Sequence, residues 1–318
     1  PGRLDTSFLL VLPLFAWLIA NQLPAFLQLL RSLGYPVEAA PLLQGATPYL
    51  LGLVAALGLL LGVLIHELGH AVVARLYGTQ VKEITLWFLG GVAQFEELPR
   101  QRGAEAVVAV AGPVTSFLLA LISWAAWRWL ELPPALLFVA SYLTLTNAAL
   151  AIFNLLPALP LDGGRILRSL LALVMPYLRA TRVAANISRL VALLLGVYGF
   201  VTFQLMLVVI AFFVYTAVRA ETRYAVVTTR LEGKRVADMM TRDAITVPSD
   251  MRADQFLRLA EFRRHIGYQV VSADGFLLGF ALIDDARRAP AEASVGSVMV
   301  EPETVSPDSD ALEALKLL

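Results

Sequence analysis

Residues 49–74 form an unbroken apolar run whose only strongly polar side chains are His66, Glu67 and His70. That length is what an α-helix needs to cross a bilayer, since about 20 residues at 1.5 Å each span the hydrocarbon core. Ionisable groups at membrane depth cost roughly 2.5–3.5 kcal/mol each on insertion scales, so they mark a functional site by default. Their order carries a chemistry as well. His66 and His70 stand at i and i+4, so on a helix both imidazoles share one face and reach one zinc ion. Glu67, beside the first of them, is placed to act as a general base. The plain alternative is a pair of histidines satisfied by neighbouring helices. The coincidence of an HExxH pattern with a transmembrane run argues against it.

Composition fits the same picture. The chain has 318 residues, of which 58% are hydrophobic and 16% charged, and its mean hydropathy is +0.71. That is too apolar for a soluble globular domain and fits a polytopic membrane protein. The formal net charge is zero, so nothing points to nucleic acid. There is no cysteine, which excludes disulfides and any thiolate zinc site.

Six spans are expected, at 7–30, 49–74, 105–130, 134–156, 184–201 and 203–219. The last two are short and joined by a tight turn near Gly199. Residues 7–30 are read as a retained span rather than a signal peptide, because no convincing cleavage site follows. Positive charge sets orientation. The segments 75–103 (Arg75, Lys82, Arg100, Arg102) and 157–183 (Arg165, Arg168, Arg179, Arg182) are the basic ones, while 31–48 carries only Arg31. The basic loops are therefore expected in the cytoplasm, with both termini. On that map His70 and His66 lie roughly 7 and 14 Å from the cytoplasmic edge. The stretch Ile84–Phe95 is apolar, too short to span and interrupted by Gly90-Gly91, as a re-entrant β-hairpin would be.

After residue 220 charges become frequent, and a repeat emerges. Val236–Met240 and Thr246–Pro248 recur as Val295–Met299 and Val305–Pro307, each followed by a helical pattern. The second unit reads as cut short within its first helix. The expected organisation is a six-span domain at 1–220, a linker at 221–235, a first repeat at 236–290 and the start of a second at 291–318.

Two histidines need a third protein ligand, and the only other histidine, His265, lies in the soluble part. A carboxylate is expected instead. Asp162, in the stretch Asn154–Gly164 (NLLPALPLDGG), leads the candidates. Pro157 and Pro160 break the helix there, and Gly163-Gly164 permits close backbone approach. Asp162 could also simply cap the helix that follows. Glu96 and Glu97 are weaker candidates, in a charged loop beside Pro99.

HELGH on one span with NLLPALPLDGGR after another resembles the site-2 proteases, which are intramembrane zinc metalloproteases. Gly90-Gly91-Val92 and Ala111-Gly112-Pro113 also resemble segments of that family. Six spans followed by a repeat module resemble its bacterial and archaeal branch carrying CBS repeats, a branch that includes a sporulation sigma-factor processing protease. The resemblance implies a polytopic α-helical membrane protein with six transmembrane helices, a short re-entrant β-hairpin and a C-terminal cytoplasmic α/β CBS module whose second repeat is incomplete. It implies that His66, His70 and Asp162 bind one Zn2+ and that Glu67 is the catalytic base. It further implies that Asn154 lies in the site, where its amide stabilises the oxyanion or holds substrate; helix-end hydrogen bonding is the bland role for that residue. Asn147 on the same span could be a second polar contact in the site, but reads rather as a residue that holds helices together.

CBS modules often bind ATP or other adenine nucleotides, and Asp284 matches the family's ribose-binding aspartate. Ala281, however, stands where the family has Ser or Thr. With the second unit cut short, weak or no nucleotide binding is expected. The expected partners are a transmembrane or membrane-associated protein substrate, membrane lipid and a second copy through the CBS module. The alternative function is a CBS-regulated metal or ion transporter with the same residues as its transport site. Glu67 discriminates, because a transport site needs no base beside its ligands.

Overall fold

The computed structural model describes residues 3–4, 8–35, 38–79, 81–87, 90–95, 103–242, 244–263, 265, 267–302 and 304–315. The chain divides into two compact units, Pro1–Ala225 and Val226–Leu318.

In the first unit, a short strand β1 (Arg3–Leu4) precedes helices α1 (Phe8–Ser32) and α2 (Thr47–Leu76). Strands β2 (Val81–Trp87) and β3 (Gly90–Phe95) form an antiparallel hairpin, with β1 parallel to β2 on its far side. Helices α3 (Ala104–Trp129), α4 (Pro134–Asn154), α5 (Asp162–Ala172), α6 (Tyr177–Val201) and α7 (Leu205–Leu231) follow. Six of the helices are long and apolar enough to cross a bilayer: Leu12–Ser32 within α1, then α2, α3, α4, α6 and α7. Their outward faces carry large apolar side chains such as Ile122, Leu194 and Phe212, as lipid contact requires. Inside, small residues let the helices approach closely. A Cβ at Gly69 would lie 2.8 Å from the Thr115 side chain on α3, and one at Gly62 would lie 2.6 Å from Asn147 Oδ1 on α4. Asn147 thus packs against Gly62 of α2, while its Nδ2 donates to Leu143 O of its own helix. Ile19, Leu23, Leu27 and Leu30 of α1 pack with Ala55, Ala56, Trp127 and Phe138 to form the apolar core at that side.

The last two spans differ from expectation. Helix α6 begins at Tyr177 rather than 184, because Pro176 sets its N-cap and Arg179 and Arg182 point outward while Ala180, Thr181, Ala184 and Ala185 are buried. Arginines that look like a loop by charge are therefore the solvated face of a helix start. At the other end, α7 continues to Leu231, so most of the stretch read as a linker, 221–235, is helical. Val214, Val218 and Ala225 keep one face of α7 buried along its length. The break between α6 and α7 falls at 202–204, where Phe203 takes φ 54°. Gly199 lets the two helices fold back, since a Cβ there would meet Leu207 Cβ at 2.8 Å.

The second unit holds β4 (Thr246–Pro248), α8 (Ala253–Arg263), β5 (Gly267–Val271), β6 (Leu277–Leu282), α9 (Ile283–Arg288), α10 (Val295–Val298) and α11 (Ala311–Leu315). β5 is central, parallel to β4 and antiparallel to β6. Val247, Phe256, Tyr268, Val270, Ala281 and Val295 form its core. Truncating Phe256 there would cost about 3–5 kcal/mol. The two repeats clasp each other reciprocally. Val236 N–H donates to Ser309 O, and its counterpart Val295 N–H donates to Met251 O. Likewise Ala311 N–H donates to Lys234 O while Ala253 N–H donates to Ala293 O. Each repeat's opening segment thus satisfies backbone groups ahead of the other's first helix.

Candidate metal centre

His66 and His70 face inward from α2, 3% and 7% exposed, and Asp162 is 7% exposed. The three converge. Asp162 Oδ2 lies 3.2 Å from His66 Nε2 and 3.3 Å from His70 Nε2, and the two Nε2 atoms are 3.2 Å apart. Four-coordinate zinc with bonds of about 2.0–2.1 Å needs donors about 3.3–3.4 Å apart, the edge of its tetrahedron. The three donors therefore fit one such ion, and Gly112 keeps the space open. A Cβ at Gly112 would collide with His70 Nε2 and lie 2.6 Å from His66 Nε2.

The other ring nitrogens fix which atoms are free to bind. His70 Nδ1 is 2.8 Å from the Val108 carbonyl oxygen, which can only accept, so Nδ1 carries the proton and Nε2 presents its lone pair. His66 Nδ1 is 2.8 Å from Ser116 Oγ, a fully buried hydroxyl. Both orienting groups belong to α3. Partners of this kind hold a ligating imidazole at its angle and tautomer.

Asp162 arrives from a broken helix. α4 ends at Asn154, and residues 155–161 fold back over the start of α5. A Cβ at Gly163 or Gly164 would collide with the backbone of residues 155–159, so the glycine pair permits this approach. Ser188 on α6 accepts the Leu159 N–H at 2.7 Å, and Leu161 N–H donates to Ala158 O, which satisfies backbone groups that the helix break leaves buried. The N-cap of α5 is Leu161, without a side-chain cap, and the Asp162 carboxylate faces the imidazoles rather than capping the helix. Burial alone would raise the Asp162 pKa; the two imidazoles outweigh it and bring it down to about 2, so the group is a carboxylate, the form that ligates.

Glu67 is half-buried beside His66, in the electrostatic reach of His70, His66, Asp162 and Arg165. Asn154 is half-buried at the end of α4, and its Nδ2 donates to Leu150 O at 3.1 Å, the helix-end bond that is its bland role. Asp284 lies in the second unit, near the start of α9, with an exposed side chain 3.5 Å from Arg287 Nη1. Ala281 is fully buried on β6. Glu96 and Glu97 lie outside the described residues. Sequence reasoning does not single out Ser116 or the Val108 carbonyl. A serine in an apolar span is a weak signal, and a backbone carbonyl leaves none.

The family model described as peptidase family M50 matches residues 54–132 and 133–197, and that of the CBS domain matches residues 236–292. Zinc metalloprotease MJ0392 of Methanocaldococcus jannaschii is 33% identical over 258 residues, spanning 81% of this chain and 75% of that protein. Stage IV sporulation protein FB of Bacillus subtilis is 33% identical over 186 residues, spanning 55% of this chain and 64% of that protein. Among solved structures, the site-2 protease from Methanocaldococcus jannaschii matches with a TM-score of 0.47 and 29% identity, over 70% of this chain and 90% of that one.

A donor set buried among bilayer-length helices, in a chain with metalloprotease relatives, defines an integral membrane metalloprotease of the zinc-dependent kind. The chain belongs to peptidase family M50, the site-2 proteases, and carries a CBS region.

Proposed function

We propose that this chain is an intramembrane zinc endopeptidase that cuts a transmembrane or membrane-associated protein, as in regulated release of a transcription-regulating factor. The observation that carries this reading is the convergence of His66, His70 and Asp162 with donor separations of 3.2–3.3 Å on helices of an apolar bundle. These three residues would hold the zinc. When bound, the ion supplies Lewis-acid activation of water and of the scissile carbonyl. Glu67 takes the proton from the attacking water and passes it to the leaving amine. Asn154 has one amide hydrogen on its own helix and offers its remaining polar valences to the substrate or the developing oxyanion.

An extended substrate is required, because a helix hides its carbonyls. The hairpin supports such a geometry: β2 is paired on both sides, while β3 has no second strand partner among the described residues. We read it as a re-entrant edge on which an unwound substrate adds a strand. In this reading 1–220 is the protease domain and 221–235 leads to CBS repeats at 236–290 and 291–318. The arginine distribution supports a cytoplasmic module and cytoplasmic termini. The module acts through partners or a second copy, and Asp284 with the buried Ala281 supports weak adenine-nucleotide binding at most. The transporter alternative draws no support from relatives named as metalloproteases.

The test compares cell membranes bearing wild-type protein with those bearing Glu67→Gln. The amide cannot take the proton yet is nearly isosteric, so cleavage should fall about 10²–10⁴-fold, zinc should stay bound, and the uncut substrate should accumulate. Cleavage near the wild-type rate would remove Glu67 as the base. Asp162→Ala should lose most of its zinc by metal analysis; unchanged stoichiometry would move the third ligand elsewhere.

A further inference from the structure

Helix α5 brings Asp162 to the imidazoles, and what holds α5 is a second polar cluster that the chemistry above does not use. Arg168, six residues after Asp162 on α5, is 1% exposed, among the largest fully buried side chains of the described residues. Its Nε donates to Glu105 Oε1 at 3.0 Å, and its Nη2 donates to the same oxygen. Its Nη1 donates to Glu221 Oε1 at 2.7 Å. The guanidinium also lies over the Tyr177 ring, 5.4 Å from its centroid. Burial works against the Arg168 charge, but Glu105, Tyr177 and Glu221 outweigh it and hold its pKa above the ordinary arginine value. The neighbouring Ser169 Oγ accepts the Ala106 N–H at 3.2 Å, a second tie between α5 and the start of α3.

The partners matter because of what else their helices do. Glu105 opens α3, the helix whose Val108 carbonyl and Ser116 hydroxyl orient both histidines. Through Arg168, the helix of the third ligand is registered against the helix that aims the other two. Glu221 sits on α7, on the face that Val214, Val218 and Ala225 bury, and α7 runs on to Leu231, shortly before the first repeat opens at Val236. A half-buried acid on an otherwise apolar face is costly unless paired.

We propose that Arg168 is a positioning residue for Asp162, fixing α5 against α3 through Glu105 and against α7 through Glu221, so that the placement of α7 sets the geometry of the third metal ligand. The proposal rests on Asp162 as a ligand, and the test separates the two. The full chain in detergent is titrated with Co2+, whose visible absorption bands report ligand geometry. Glu221→Gln keeps an oxygen acceptor and leaves Glu105 to balance the guanidinium, so helicity by circular dichroism should be preserved. Its Co2+ affinity should fall roughly tenfold, as outer partners of metal ligands typically do, and its bands should shift. Arg168→Lys loses the planar fork and should show the same change, larger. Asp162→Ala serves as control and should bind little Co2+. Wild-type affinity and spectrum in both Glu221→Gln and Arg168→Lys, with Asp162→Ala impaired, would overturn the positioning role and leave the metal site standing. The positioning role is overturned equally if Glu221→Gln weakens Co2+ only alongside loss of helicity. Should Asp162→Ala bind Co2+ like the wild type, the metal reading itself fails, and this proposal with it. If Arg168→Lys does not fold, Glu221→Gln decides alone.

Discussion

The two units treat polar side chains in opposite ways. In the helical unit His66, His70, Asp162, Ser116, Glu105 and Arg168 are all buried, and each lies in a cluster whose members satisfy one another. In the repeat unit the described core is Val247, Phe256, Tyr268, Val270 and similar residues, and ion pairs such as Arg258–Asp254 and Arg287–Asp284 lie on the surface. The difference follows from the surroundings. The repeat unit separates apolar from polar, with its ion pairs at exposed positions. A bundle in lipid has apolar material on both sides, so apolar burial there discriminates little between inside and outside. Polar groups inside such a bundle are costly, and in the proposed reading the clustered ones hold a metal, aim its ligands or fix the helix that carries one.

Substitutions in the buried clusters should therefore act on the metal, and the sharpest is the smallest. Gly112→Ala adds one methyl where His66 and His70 present their Nε2 atoms. Alanine is a better helix former than glycine, so α3 should survive or gain. Metal affinity should nonetheless drop roughly a hundredfold, the upper end for changes beside a ligand set, as measured by zinc competition with a chromophoric chelator. Undiminished affinity would mean that the imidazoles have room to spare, and the site geometry would need revision. Ser116→Ala should act in the same direction and less, about tenfold, because His66 keeps its place on α2 and loses only the partner at Nδ1. An unchanged zinc affinity in Ser116→Ala would make that serine a packing residue.

The difference between the units also governs how much the sequence could tell. His66, Glu67 and His70 were legible because they interrupt an apolar run at helical spacing, and Asp162 because its Pro- and Gly-rich surroundings cannot be an ordinary span. The spans themselves were legible by length, except where charge misled. Arg179 and Arg182 read as loop but ride the outer face of α6, and α7 continues past its apolar stretch because Val218 and Ala225 still bury one side of it. Of Arg168, Glu105 and Glu221, only Arg168 was legible, as one of the arginines that make 157–183 basic. Nothing local says that three helices bring them together, because such a pairing is a long-range fact. The clasp of the two repeats was half legible: the repeat could be read, but not that each opening segment hydrogen-bonds the backbone ahead of the other's first helix.

The smallest expected effect is the best control on the comparison. Arg258 and Arg168 are both arginines on helices, and each donates to a carboxylate at normal distance, Arg258 Nη2 to Asp254 Oδ2 at 3.0 Å and Arg168 Nη1 to Glu221 Oε1 at 2.7 Å. Their side chains are 67% and 1% exposed. Geometry alone would rank the two pairs nearly level. Surroundings rank them far apart: the exposed pair is screened by salt and its partners are solvated equally well when separate, whereas the buried arginine has nowhere else to place its charge. Arg258→Ala should therefore leave the thermal unfolding midpoint of the full chain unchanged within error, at low salt and high salt alike. Arg168→Ala should lower it clearly, because Glu105 is left buried without its partner. A loss in Arg258→Ala that matches Arg168→Ala would break the comparison, by showing that an exposed ion pair of the repeat unit carries as much stability as the buried one.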